Sequence, residues 1–204
     1  MAEMKARLRQ EFDSTYEVAA TQHFVVVHPR GRWQAWADRM ETLYRSFVRY
    51  MSVRGFRPRT PPAPMPAIVF RNQSDYYRHA AESGTRLGPG SLGHYSPRSN
   101  RMYLFDATAA TGDADQIANF ETIVHEATHQ TAYNVGVHQR FTEQPRWLVE
   151  GLAMMFEARG VYANSATSAR DARINRGRLS DYRWLRDHRA EDWILRLVAS
   201  DDRF

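Results

Sequence analysis

One short segment of the sequence contains three residues whose types and spacing could carry out hydrolysis. His125 and His129 are four positions apart, and Glu126 directly follows the first histidine. Because an α-helix turns once in about 3.6 residues, the two imidazoles would project from one face and could bind one metal ion. Glu126 would lie about 100° round the helix, beside the ion, where it could deprotonate a metal-bound water. The HExxH segment therefore predicts a metal site with a general base.

A catalytic zinc ion needs three protein ligands and one open position, so HExxH alone is incomplete. A metzincin would continue with Gly at position 132 and His at position 135, whereas this chain has Ala132 and Val135. The gluzincin alternative requires a glutamate on a following helix. Residues 147–157, with the sequence WLVEGLAMMFE, supply Glu150.

This segment resembles the second zinc-binding helix of the gluzincin (thermolysin-like, peptidase MA) clan, and it is similar to the WLNEGFAxYxE segment of zinc aminopeptidases. The separation of His129 from Glu150 also suits that clan. HEATHQ together with WLxEGLA resembles a set of bacterial peptidase domains still more closely, over residues 21–159. The resemblance implies that His125, His129 and Glu150 bind zinc (Zn²⁺), with Glu126 as general base and proton shuttle.

The same resemblance implies further roles around the metal. In this clan the strand before the zinc helix lies at the cleft edge and pairs with extended substrate, which makes residues 101–105 the expected edge strand. Glu157 and Glu121 lie within two turns of predicted ligands, so either could accept a hydrogen bond from a ligating imidazole. For Glu121, an ordinary surface carboxylate is an equal alternative.

Gluzincins also commonly use a downstream tyrosine or histidine to stabilise the oxyanion. The sequence does not choose among four candidates: Tyr103, His138, Tyr162 and Tyr182. No motif for reading a substrate amino terminus is recognisable, so the choice between endopeptidase and exopeptidase activity stays open.

The elements that must position these residues follow from periodicity and turn residues. Residues 23–28 and 67–70 are short apolar runs typical of buried strands, and residues 92–105 predict a hairpin. Apolar residues on one stripe from 33 to 51 predict a helix that faces the core.

The ligands are predicted to lie on two later helices. Asp113 and Gln116 resemble a capping box that opens a helix through about residue 135, and a further helix is expected over 146–159. We therefore predict an α+β fold, a minimal zincin-like domain over residues 1–204 with a small mixed sheet and an edge strand over the cleft. Its sheet-bearing half would cover 21–112, and its helical half with the zinc site would cover 113–204.

Composition narrows the function classes. The 204-residue chain has no cysteine, which excludes thiolate ligands, disulfides and cysteine nucleophiles. Its net charge of +5 comes almost wholly from arginines spread along the chain, a pattern that argues against a nucleic-acid partner. No apolar run is long enough to span a membrane, and the charged first residues predict no secretory signal, so the compartment stays open.

The function predicted from these features is zinc-dependent hydrolysis of a peptide or protein substrate. One alternative is a non-catalytic zinc-containing domain of a larger protein that binds peptides along its edge strand. Another is a basic nucleic-acid adaptor, whose binding would depend steeply on salt and need no metal. The sequence leaves the substrate, the cleavage preference and the oligomeric state open.

Overall fold

A computed structural model describes residues 1–30, 33–105, 113–163 and 170–201. These residues form an α+β fold in which helices pack on both faces of one sheet. The strands are β1 (Tyr16–Ala20), β2 (Phe24–Pro29), β3 (Met65–Phe70), β4 (Gly93–Ser96) and β5 (Arg101–Phe105).

Three helices precede β4 in the sequence: α1 (Ala2–Glu11), α2 (Trp33–Ser52) and α3 (Gln73–Glu82). Those that follow are α4 (Asp113–Asn134), α5 (Arg146–Glu157), α6 (Arg159–Tyr162), α7 (Arg176–His188) and α8 (Trp193–Ala199), with a 3₁₀ turn at Arg170–Arg173. Across the described ranges, no helix combines the length and the apolar character needed to cross a membrane.

The sheet is mixed, with the strand order β1-β2-β3-β5-β4. β2, β3 and β5 run parallel at its centre, and β1 and β4 pair antiparallel at its two ends. Helices cover both faces of the central strands, which explains their nearly unbroken apolar runs. The predicted strands are present, and β1 is a further strand that the sequence analysis did not predict.

The hairpin predicted over residues 92–105 is present as β4 and β5, but the prediction of its edge strand is wrong. Arg101–Phe105 pairs with β3 on one side and with β4 on the other, so it is an internal strand. The reason is burial: four of its five residues are buried, whereas all four residues of Gly93–Ser96 are only partly buried. β4 is therefore the strand at the end of the sheet.

The two faces of β5 contact different helices. Met102 and Leu104 belong to the core that includes α2 and α4, and Tyr103 and Phe105 belong to the core that includes α1 and α3. This alternation follows from the two-residue period of a strand. The face that carries Met102 is therefore the one on which the predicted zinc helix lies.

Helix α4 is held to that face by apolar packing and by one buried amide. Ile123, Val124 and Ala127 are buried in the core. The side chain of Gln130, fully buried, donates hydrogen bonds to the carbonyls of Pro66 at 2.9 Å and Asn100 at 2.8 Å. The helix has the predicted extent, while the side chains of the predicted Asp113 and Gln116 capping pair lie outside the described residues.

Strand β4 can lie close to α4 because residue 93 is glycine. A Cβ at this position would be 2.5 Å from Cδ2 of Leu104, and 3.0 Å from both Cγ2 of Thr122 and the backbone oxygen of Tyr103. The last of these atoms cannot move aside without shifting β5. A side chain at position 93 would therefore push β4 away from both β5 and α4.

We expect Gly93→Ala to lower the free energy of unfolding by about 1–3 kcal/mol, because the added methyl overpacks this contact. Equilibrium unfolding in urea measures the change. Gly88→Ala is the matched control, since a Cβ there would have nothing within 4 Å, and its expected change is below about 0.5 kcal/mol. A Gly93→Ala protein as stable as the wild type would contradict the close packing of β4 against β5 and α4.

Candidate metal centre

The three predicted ligands meet where α4 packs on α5. His125 Nε2 lies 3.0 Å from His129 Nε2 and 3.2 Å from Glu150 Oε2, and His129 Nε2 lies 3.5 Å from the same Glu150 oxygen. A tetrahedral zinc ion with ligands at about 2.05 Å places neighbouring ligand atoms about 3.4 Å apart. All three separations agree with that value to within about 0.4 Å. His125, His129 and Glu150 could therefore hold a metal ion.

Helix α5 reaches this position through aromatic packing at its far end. Phe156 is fully buried, with its ring centroid 5.0 Å from that of Phe47 and 5.3 Å from that of Tyr50, both on α2. Ala153 is buried on the same side of the helix. This contact seats α5 against α2 and leaves Glu150, in the first half of α5, beside the two histidines of α4.

Glu157 contacts the first predicted ligand directly. Its Oε1 lies 2.8 Å from Nδ1 of His125, and its side chain is only 1% exposed. Although burial opposes ionisation, hydrogen bonds from His125 and Arg178 lower the pKa of Glu157 below its ordinary value. An ionised carboxylate only accepts, so Nδ1 of His125 donates to Glu157, and Nε2 is the nitrogen that faces His129 and Glu150.

Glu121 lies in the same region but bonds to a different partner. Its Oε1 accepts a hydrogen bond from Asn175 Nδ2 at 3.3 Å. Burial, followed by the negative charge of Glu157, raises the pKa of Glu121. Of the two carboxylates predicted to accept a hydrogen bond from a ligating imidazole, Glu157 accepts one, from His125, and Glu121 bonds to Asn175 instead.

Oppositely charged groups contact one another within the cluster. Burial opposes a charge on His125, but hydrogen bonds with Glu150 and Glu157 raise the pKa of its imidazole to about 10. Burial also opposes ionisation of Glu150, but hydrogen bonds from His125 and His129 hold its pKa well below the ordinary value. Because a metal ligand must be a neutral imidazole, metal uptake at neutral pH releases a proton from this cluster.

Glu126 lies on the wall of an open cavity beside the cluster. The cavity has a volume of about 390 Å³ and is lined by residues before and within β4, by α4 and by the first part of α7. Glu126 and His125 are both partly exposed to it. The carboxylate predicted to act as general base can therefore meet a molecule that enters this cavity.

The structure removes one of the four oxyanion candidates. Tyr103 packs in the core on the opposite face of the sheet from α4, which removes it. Tyr182 is exposed on α7, and the ring of Tyr162 packs on that of Phe120. His138 is buried, with Nδ1 2.9 Å from the side-chain oxygen of Gln144.

Tyr133 is a neighbour of the cluster that the sequence analysis missed. It follows His129 by one helical turn, and its ring stacks on Tyr95 of β4 with centroids 5.6 Å apart. Burial, and then the negative charge of Glu150, raise the pKa of its hydroxyl. The four-residue spacing from His129 is the signal that could have identified it.

Comparison with known protein families finds a match to the second half of the chain. A family described as "Protein of unknown function (DUF1570)" matches residues 119–204, which include the HExxH segment, all of α5 and the helices α7 and α8. No curated protein matches the chain, and no solved structure matches it. The match places all three candidate ligands in one segment shared with that family.

We expect the wild-type protein to bind about one zinc ion per chain, and His129→Ala to bind none after dialysis, because a stable site needs three protein ligands. Elemental analysis of dialysed protein measures the content. His188→Ala is the control, since this imidazole lies on α7 and is exposed. Equal zinc content in the wild type and in His129→Ala would contradict the site.

Proposed function

We propose that this protein is a zinc-dependent metallopeptidase of the gluzincin type, which hydrolyses bonds in a peptide or protein substrate. The observation that carries the proposal is the near-tetrahedral spacing of His125, His129 and Glu150, with Glu126 next to His125 on a cavity wall. Two imidazoles and a carboxylate suit zinc better than magnesium or calcium, which prefer oxygen ligands.

Each residue of the cluster then has a chemical task. Bound zinc would polarise the scissile carbonyl and lower the pKa of the attacking water. Glu126 accepts the proton of that water and delivers it to the leaving nitrogen. Glu157 holds His125 in the tautomer and orientation that a ligand requires.

The placement of β4 supports an extended peptide as substrate. β4 pairs with β5 along one side and, within the described part of the chain, is the last strand of the sheet. Gly93 at its start lines the cavity together with Glu126. An extended peptide that paired with the outer side of β4 would therefore pass beside the general base.

We expect Glu126→Gln to retain about one zinc ion per chain but to lose at least about 100-fold in turnover, because the amide cannot accept a proton. The assay is mass-spectrometric detection of cleavage in a mixed peptide library incubated with zinc-loaded protein. Glu143→Gln is the matched control, since this carboxylate is exposed between α4 and α5, and its activity should equal that of the wild type.

Two results would count against the proposal. Full activity in Glu126→Gln would contradict the assigned general base. A zinc-loaded wild type that binds library peptides without cleaving them would instead support the non-catalytic peptide-binding domain.

A further inference from the structure

Helix α7 is attached to the metal centre by polar contacts. In the described part of the chain, α7 has no buried residue, and its Trp184 is 63% exposed. The beginning of the helix instead contacts Glu157 of α5. Arg178 donates to this carboxylate through Nε and Nη2, each at 3.0 Å, and the N-cap residue Asn175 donates to it through Nδ2 at 2.8 Å.

Each oxygen of the buried Glu157 carboxylate accepts two hydrogen bonds. Its Oε1 meets Nδ1 of His125 and Nη2 of Arg178, and its Oε2 meets Nε of Arg178 and Nδ2 of Asn175. The planar guanidinium binds both oxygens at once, which fixes the plane of the carboxylate. Because His125 bonds to one of these oxygens, the same contact determines the direction in which its ring can point.

We propose that Arg178 is a positioning residue of the metal centre, which holds Glu157 in the orientation that directs Nε2 of His125 at the metal. The inference rests on the metal site of the proposed function. It makes the beginning of α7 part of the metal-binding unit, although α7 carries no ligand. Arg178 also lines the cavity beside Glu126, so one side chain supports the ligand geometry and forms part of the cavity wall.

The test is the zinc dissociation constant of the full chain, measured by competition with a chromophoric chelator. Arg178→Ala should weaken zinc binding by up to about tenfold, because losing a group bonded directly to a ligand costs about 10–100-fold and Arg178 acts one contact further out, through Glu157. Arg178→Lys should recover part of the loss, because an ammonium keeps the charge but cannot bind both oxygens. Arg176→Ala is the matched control, since Arg176 lies on the same turn with its side chain 81% exposed, and it should bind zinc as the wild type does.

A double-mutant cycle separates positioning through Glu157 from a general effect on folding. In a Glu157→Gln background, where the carboxylate charge is already absent, removal of Arg178 should change zinc affinity by less than about twofold. Losses that simply add would overturn the proposal. Should Arg178→Ala fail to fold, Arg178→Lys and Arg178→Gln carry the same comparison.

The outcomes also separate this inference from the proposed function. A wild type that binds no zinc would overturn both. A wild type that binds zinc, together with an Arg178→Ala variant of equal affinity, would overturn the positioning role alone.

Discussion

The buried amide of Gln130 ties α4 to the beginning of β3 and to the turn before β5, through the carbonyls of Pro66 and Asn100. Successive residues of a helix differ by about 100° in direction, so the face that enters the core and the face that carries the histidines cannot be set independently. Any rotation that moved His125 and His129 would also pull Ala127 out of the core and break the bonds of Gln130. The packing that stabilises the domain therefore determines where the two imidazoles point.

The rest of the centre is built outward from this helix in layers. α5 is held in place by Phe156, and it brings Glu150 to the two imidazoles and Glu157 to Nδ1 of His125. α7 then contacts the outer side of Glu157 through Arg178. The groups of each layer pair with the buried charge of the layer before it. An unpaired carboxylate at this depth would carry a large desolvation cost.

Local patterns predicted the parts of this arrangement that depend on short spacing. The HExxH helix, the strands other than β1, and the helix of Glu150 each follow from local patterns within one segment. The edge strand was predicted wrongly because the resemblance assigned it to the strand that directly precedes the zinc helix in the sequence. The parallel pairing of β5 with distant β3, which no local pattern shows, makes Gly93–Ser96 the end of the sheet. Arg178 could not be predicted either, because its partner lies on another helix and no sequence period relates the two.

The account depends most on the claim that His125, His129 and Glu150 share one zinc ion. Anomalous diffraction at the zinc edge, from crystals of the zinc-loaded protein, tests this claim directly. The account predicts a single strong peak about 2.0–2.2 Å from Nε2 of both histidines and from a carboxylate oxygen of Glu150. The absence of a peak there, or a peak held by other residues, would contradict it.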